Sequence, residues 1–380
     1  MYLFCRGKDS EKEKWDGART GYLEAPQIFQ ADVARSIDEF PSHLKSMAAL
    51  HSNIYVDLPP TLLRRRPSRM TPKSLLKVLT GDVSPTPQTE YDSIIDSLGQ
   101  SNRQSLAPEV ARLRGIKSLA EQKVLRAAAD ISGLAHAKTM RFTDVGMYEG
   151  ALAAHLEYMC ALQGAQRMAY VPVVASGANA LIIHYTSNNQ RVRDGEIVLI
   201  DGGCEYNGYA SDITRSFPVS GTFTSPQKDL YSAILSAQKT LISLCTEATG
   251  LSLMDLHRRS CELLRIELNQ IGFNLKSSYG DLERILYPHL LSHPIGIDLH
   301  ESTYFDRNAP LQAGMVLTIE PGIYVPPLPI FPREFHNIGM RIEDEVLVGK
   351  EHPTVLSVSA PKEIADIEGA CQGLIGLEPY

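Results

Sequence analysis

Two carboxylates flank a turn signal at Asn207-Gly208. Asp201 ends the aliphatic run Ile197-Val198-Leu199-Ile200, and Asp212 lies on the return. Asn-Gly favours a two-residue type I′ turn because both central residues take φ > 0, so Tyr206 and Tyr209 should pair across it and fix the register. Asp212 then falls opposite Gly203, two residues from Asp201. Strand alternation aims both carboxylates at one face, as diagonal neighbours about 7–8 Å apart at the backbone. Two like charges held so close require a cation, and Gly203 between them would leave room for it.

Three further stretches carry candidate ligands. His289-Leu290-Leu291-Ser292-His293-Pro294-Ile295-Gly296-Ile297-Asp298-Leu299-His300 is rich in histidine, Thr318-Ile319-Glu320-Pro321-Gly322 ends an apolar strand in a glutamate fixed by a Pro-Gly turn, and Gly339-Met340-Arg341-Ile342-Glu343-Asp344-Glu345 alternates charge with hydrophobe. Alternation puts Arg341, Glu343 and Glu345 on one strand face and Met340 and Ile342 on the other. Each stretch alone is ordinary: turn chemistry, a solvated strand face, a core histidine. Together, Asp201, Asp212, Glu320 and Glu343 with a histidine between them form a mostly oxygen donor set suited to paired divalent ions. Four carboxylates carry a charge of about −4, which two M²⁺ ions offset while activating a water as nucleophile.

The elements that must position these groups follow from pattern. Ser118-Leu119-Ala120-Glu121 fits a capping box, and an alanine-rich amphipathic pattern runs from it towards Met140. Helices are expected at about 147–162, 226–247 and 254–271, and strands at 171–176, in the 197–217 hairpin, at 315–319 and at 340–348. Helices packed on a largely antiparallel sheet make this an α+β fold. The preceding part is a small α/β module: a strand at Tyr2–Cys5, a charged connector, a helix from about Asp32 and a strand at Asn53–Leu58. Pro59-Pro60, Pro67, Pro72, Pro85 and Pro87 then interrupt the chain. The division is drawn as 1–112 and 113–380.

Composition excludes other classes. With 380 residues, 43% of them hydrophobic, the chain can bury a sizeable core, yet no apolar run approaches the ~20 residues that span a bilayer. The net charge of −7 supplies no basic field for nucleic acid, and Arg64-Arg65-Arg66 reads as solvated surface. Six scattered cysteines without a Cys-x-x-Cys pair suit free thiols in a reducing compartment. The N-terminus carries no readable targeting signal.

In order, ligand type and flanking sequence, Asp201, Asp212, His293, Glu320 and Glu343 resemble the metal ligands of the pita-bread metallopeptidases: methionine aminopeptidase, prolidase and aminopeptidase P. The match is nearest to aminopeptidase P. It is carried by Ser176-Gly177-Ala178-Asn179-Ala180, Ile183-His184-Tyr185-Thr186, Leu199-Ile200-Asp201-Gly202-Gly203, Ser211-Asp212-Ile213-Thr214-Arg215, His293 to His300, Ile319-Glu320-Pro321-Gly322-Ile323-Tyr324 and Arg341-Ile342-Glu343-Asp344. The resemblance spans roughly residues 110–372.

It implies a pita-bread catalytic domain and a two-metal aminopeptidase, with manganese as the pair of ions. Asp201 would chelate one ion and His293 bind the other, while Asp212, Glu320 and Glu343 bridge or clamp the pair. His184, His289 and His300 would orient substrate and move protons, Arg341 would support the carboxylates, and Glu320 would pass a proton to the leaving nitrogen. Trp15, the sole tryptophan, resembles a residue that walls the substrate pocket of a neighbouring subunit, although a lone tryptophan is more often core packing. A homo-oligomer, a dimer, is expected where the first domain is intact. That domain is normally longer in the family, so this chain begins inside it and the absent strands would expose a sheet edge.

The nearest branch is mitochondrial and trims one residue from imported proteins after presequence removal. This implies a mitochondrial location, with the cytoplasm as the alternative. Two substrate readings stand: Xaa-Pro peptides, or processed N-termini bearing a bulky residue. A prolidase-type dipeptidase and a non-catalytic pita-bread binding module are the rivals, the latter disfavoured because all five ligands are present. Pro294 after His293 departs from the aromatic or aliphatic residue usual there, and Glu301 replaces a frequent aspartate.

Overall fold

A computed structural model describes residues 1–57, 102–276 and 280–375. The proline-rich stretch from Pro59 to Pro87 and the Arg64-Arg65-Arg66 cluster lie outside them. The chain divides into two compact units, Met1–Glu109 and Val110–Tyr380.

In the first unit, strand β1 (Tyr2–Cys5) pairs in parallel with β2 (Val33–Ser36), and β3 (Asn53–Val56) with β4 (Asn102–Ser105). Helices α1 (Ser10–Asp16), α2 (Ala25–Phe29) and α3 (Phe40–Ala48) lie between. The helix expected from about Asp32 is therefore displaced. Val33–Ser36 extends as the partner of β1, and helix begins only after Ser36 caps a short 3₁₀ turn. A strand partner far away in sequence overrides the local pattern.

Helix α4 (Ala107–Gly115) leads into the second unit, where α5 (Leu119–Phe142) starts at the Ser118–Glu121 capping box read from sequence. Then come α6 (Glu149–Leu162), β5 (Arg167–Met168), β6 (Val173–Ser176), β7 (Ile197–Asp201), β8 (Cys204–Tyr206), β9 (Tyr209–Ala210) and β10 (Thr214–Pro218). Helices α7 (Ser225–Ser243) and α8 (Leu253–Gln270) precede β11 (Val316–Ile319), β12 (Gly322–Val325), β13 (Ile338–Arg341), β14 (Asp344–Leu347), β15 (Thr354–Val355) and α9 (Ile364–Gln372). Every strand pair described in this unit is antiparallel.

β7 is the central strand, between β6 and β10. Its unbroken aliphatic run follows from burial on both faces: Val198 and Ile200 join Leu152, Leu156, Phe217, Tyr231 and Ile234 in the main core, while Leu199 packs in a second cluster with Val173 and Tyr324. Fully burying each such side chain contributes about 1.5–3 kcal/mol. This double burial fixes the strand whose end carries Asp201.

The hairpin keeps one register from Tyr206↔Tyr209 at the turn to Pro218↔Ile197 at its far end. Asn207 (φ 49°) and Gly208 (φ 78°) both take the left-handed backbone that the Asn-Gly signal requires. Midway the ribbon bends, so that β7 and β10 belong to one sheet and β8 and β9 to another. At the bend a Cβ on Gly203 would lie 2.0 Å from the Ser211 carbonyl oxygen. Gly203 thus permits close backbone approach within the hairpin rather than making room for an ion.

The strand expected over 340–348 is two strands. β13 pairs with β12 and β14 with β11, and between them Ile342 N–H bonds Pro321 O and Glu343 N–H bonds Thr214 O. The change of partner breaks the strand at Glu343. Arg341, Glu343 and Glu345 are all buried, so the alternating charge is not a solvated face.

Candidate metal centre

The carboxylates sit where strands end or change partner, which frees side chains to converge. Asp201 closes β7, opposite Val173 and Thr214. Glu320 follows β11 before the Pro321 turn, and Glu343 occupies the break between β13 and β14. Asp212 stands at the hairpin bend, its N–H held by Glu345 Oε1 at 2.8 Å. His293 is fixed through its backbone: its N–H donates to Thr318 Oγ1 (3.1 Å) and its carbonyl accepts from Thr318 N–H (3.0 Å).

These residues meet in a cavity of about 890 Å³. One donor atom each from Asp212, His293 and Glu343 lies within 4.8 Å of the others, a spacing that can hold a metal ion. His293 Nε2 is 3.3 Å from Asp212 Oδ2 and 3.8 Å from Glu320 Oε1. The two aspartates share a focus, as the hairpin register requires, for Tyr170 Oη lies 2.5 Å from Oδ1 of both. Asp201 Oδ2 also accepts from Arg341 Nη2 at 2.6 Å, and Arg341 reaches Tyr324 Oη (2.6 Å) and Thr214 Oγ1 (3.1 Å). Thr214 Oγ1 in turn donates to Glu343 Oε2 at 2.6 Å.

His184 and His300 line the cavity from exposed loops, and His300 packs edge-on against His293 with ring centroids 4.3 Å apart. His289 Nδ1 lies 3.9 Å from Glu320 Oε2, while its Nε2 is 3.0 Å from Tyr324 Oη. Trp15 belongs to the other compact unit, on α1, and is 88% exposed, so it packs in no core there. Glu301, next to His300, is buried against Lys117 and Arg114.

The electrostatics fit a cation. Burial, then the neighbouring carboxylates, raises Glu343 well above the ordinary carboxyl range, and burial pushes Glu320 up to about 7. Burial also raises Asp201 despite Arg341. Burial opposes charge on Asp212 and His293 too, but here pairing wins: Asp212 is lowered by His293, and His293 is raised by Asp212 and Glu320. Burial and Arg341 depress His289 to about 3, keeping it neutral. Four carboxylates thus face one guanidinium and one imidazole, a donor set left short of positive charge.

Sequence reasoning missed Tyr170. The signal was weak, because its place just before β6 matters only once β6 is known to pair with β7 and so to bring the tyrosine beside Asp201.

The model of metallopeptidase family M24 matches residues 123–350, and that of the aminopeptidase P N-terminal domain matches residues 1–55. The chain belongs to metallopeptidase family M24. The peptidase is 36% identical over 374 residues to intermediate cleaving peptidase 55 of Saccharomyces cerevisiae, covering 98% of this chain and 70% of that protein. It is 38% identical over 354 residues to the mitochondrial intermediate cleaving peptidase 55 of Arabidopsis thaliana, covering 93% of this chain and 66% of the relative. The crystal structure of Icp55 from Saccharomyces cerevisiae superposes with a TM-score of 0.83 at 34% identity, covering 98% of this chain and 81% of the other. Proteins named Xaa-Pro aminopeptidase are also among its relatives. The peptidase is a hydrolase with the pita-bread fold, an aminopeptidase of the aminopeptidase P type that works with divalent metal ions. Among the described residues no helix is long and apolar enough to cross a membrane.

Proposed function

We propose that the peptidase removes single residues from peptide and protein N-termini at a centre of two manganese ions held by Asp201, Asp212, His293, Glu320 and Glu343. The observation that carries this reading is the convergence of five donors from four separate segments into one cavity, with too little positive charge of their own. The ions, when bound, supply an activated water and positive charge for the oxyanion.

The chain's own groups do the rest. Glu320, with one oxygen towards His293 and the other towards His289, takes the proton from the attacking water and passes it to the leaving nitrogen. His184 and His300, from two separate segments that line the cavity, hydrogen-bond the substrate backbone. Arg341 opposes the effect of burial on Asp201 and holds its carboxylate in place through their 2.6 Å contact. The apolar lining from Val171, Ile183, Leu290, Leu299 and Phe305 excludes water around the scissile bond and accepts an apolar side chain.

In this reading residues 113–380 form the catalytic domain and 1–112 belong to the N-terminal domain, which supports a dimer and brings Trp15 to a neighbouring subunit's pocket. The work is trimming of imported mitochondrial proteins, supported by the mitochondrial relative in Arabidopsis thaliana. A peptide panel tests substrate choice. Turnover of Tyr- or Leu-initiated peptides lacking proline at the second position is expected. Hydrolysis confined to Xaa-Pro peptides would reject the trimming role, and hydrolysis confined to dipeptides would leave a prolidase.

A further inference from the structure

Glu149, the first residue of α6, is completely buried, and the donors gathered on it are neutral. Oε1 accepts from Ser176 N–H, Ser176 Oγ and Asn179 Nδ2, each at 2.8 Å. Oε2 accepts from Tyr185 Oη and Gln190 N–H, each at 2.9 Å, and the Glu149 amide donates back to the Gln190 carbonyl at 2.9 Å. A buried carboxylate without a cation is costly unless its lone pairs are filled, and here they are. Burial alone would raise its pKa, but the donors reverse the shift and hold it ionised.

The placement of these donors gives the arrangement a purpose. Ser176 and Asn179 precede His184 in the chain, while Tyr185 and Gln190 follow it, so one carboxylate grips both limbs of the segment that carries the histidine into the cavity. Between the grips the backbone has only the 3₁₀ turn Gly177–Leu181. Ile183, His184 and Thr186, which line the cavity, therefore take their position from outside the segment. Asn188 ties the same segment to β6 separately, accepting from Val174 N–H and donating to Pro172 O. Loss of Glu149 should loosen the loop without releasing it.

We infer that Glu149 is a positioning residue for the peptidase reaction, acting through the 176–190 segment to present His184 to the substrate. The inference rests on the reading that His184 contacts substrate. Glu149 itself lines no part of the cavity and offers nothing to a metal ion.

The test is a double-mutant cycle on the metal-loaded enzyme with Glu149→Gln and His184→Ala. The amide keeps one acceptor oxygen and turns an NH₂ group against donors, so E149Q should lower kcat/KM about tenfold, a loss of about 1.4 kcal/mol, with the metal content per chain unchanged. In the H184A background the same substitution should cost less than about twofold, because its effect is already spent. A general loss of structure would instead add to that of H184A. Tyr185→Phe removes one donor and keeps the ring, and it enters the same cycle should E149Q fail to fold. Wild-type kcat/KM in E149Q, or additive losses on an impaired H184A, would overturn the positioning role alone. Wild-type kinetics in H184A would overturn the reading of His184 and this inference with it.

Discussion

Glu343 and Asp344 are adjacent and both buried, yet they live in opposite electrostatic settings. Asp344, on the side away from the cavity, is fully matched. Arg215 Nη2 and Ser357 Oγ donate to Oδ1, each at 2.7 Å, and Gln238 Nε2 (2.8 Å) and Lys362 Nζ (2.5 Å) donate to Oδ2. Burial would raise its pKa, but Arg215 and Lys362 hold it far below the ordinary range. Glu343, facing the cavity, meets burial and three more carboxylates, and its pKa is driven well above ordinary. The strand break turns one neighbour inward to a complete network and the other towards an incomplete one. A carboxylate that the protein neutralises serves the fold. One that it leaves unmatched awaits a cation.

The sharpest way to break this contrast is to neutralise each member in turn. Glu343→Gln should lower activity on the order of a thousandfold or more, the loss of several kcal/mol of transition-state stabilisation, while leaving the metal-free protein as stable as the parent or more so. Asp344→Asn should do the reverse, costing about 3–5 kcal/mol because Arg215 loses its buried counter-charge. Denaturant titration of metal-free protein beside peptidase assays reads both. Equal destabilisation by the two substitutions would show that the networks do not differ.

Their pH responses should differ in sign. Glu320, raised to about 7, contributes stability to the metal-free protein that is complete below the ordinary carboxyl range and is lost as pH rises through about 7. Asp344, lowered, contributes in full above that range and loses its contribution progressively as pH falls from there through its depressed value. Divalent metal should therefore raise the melting temperature more at about pH 8 than at about pH 5.5, since binding no longer has to displace protons. Equal increments would mean that the cavity carboxylates are ionised without metal. The smallest effect belongs to a residue outside both networks: Trp15→Ala should raise KM without removing metal, and an unchanged KM would take Trp15 out of the site.

Much of this was legible in the sequence because the deciding signals were local. The Asn207-Gly208 turn fixed a register that carries Asp201 and Asp212 to one focus, and Ser118 with Glu121 marked the start of α5. What escaped was non-local. Val33–Ser36 is a strand because β1 pairs with it, the expected strand over 340–348 breaks because its two halves pair with different partners, and Tyr170 acquires meaning only through the β6–β7 pairing. Gly203 was legible as a requirement but not in its reason, which is the Ser211 backbone packed against it.

The central claim is that five converging side chains hold two ions that the peptidase needs. Metal analysis of the purified protein and of Asp212→Ala, run beside an aminopeptidase assay, tests it most directly. The parent should carry about two ions per chain and release N-terminal residues in a manganese-dependent way, with both lost in the variant. Less than one ion per chain and no activity after manganese addition to the parent would contradict it.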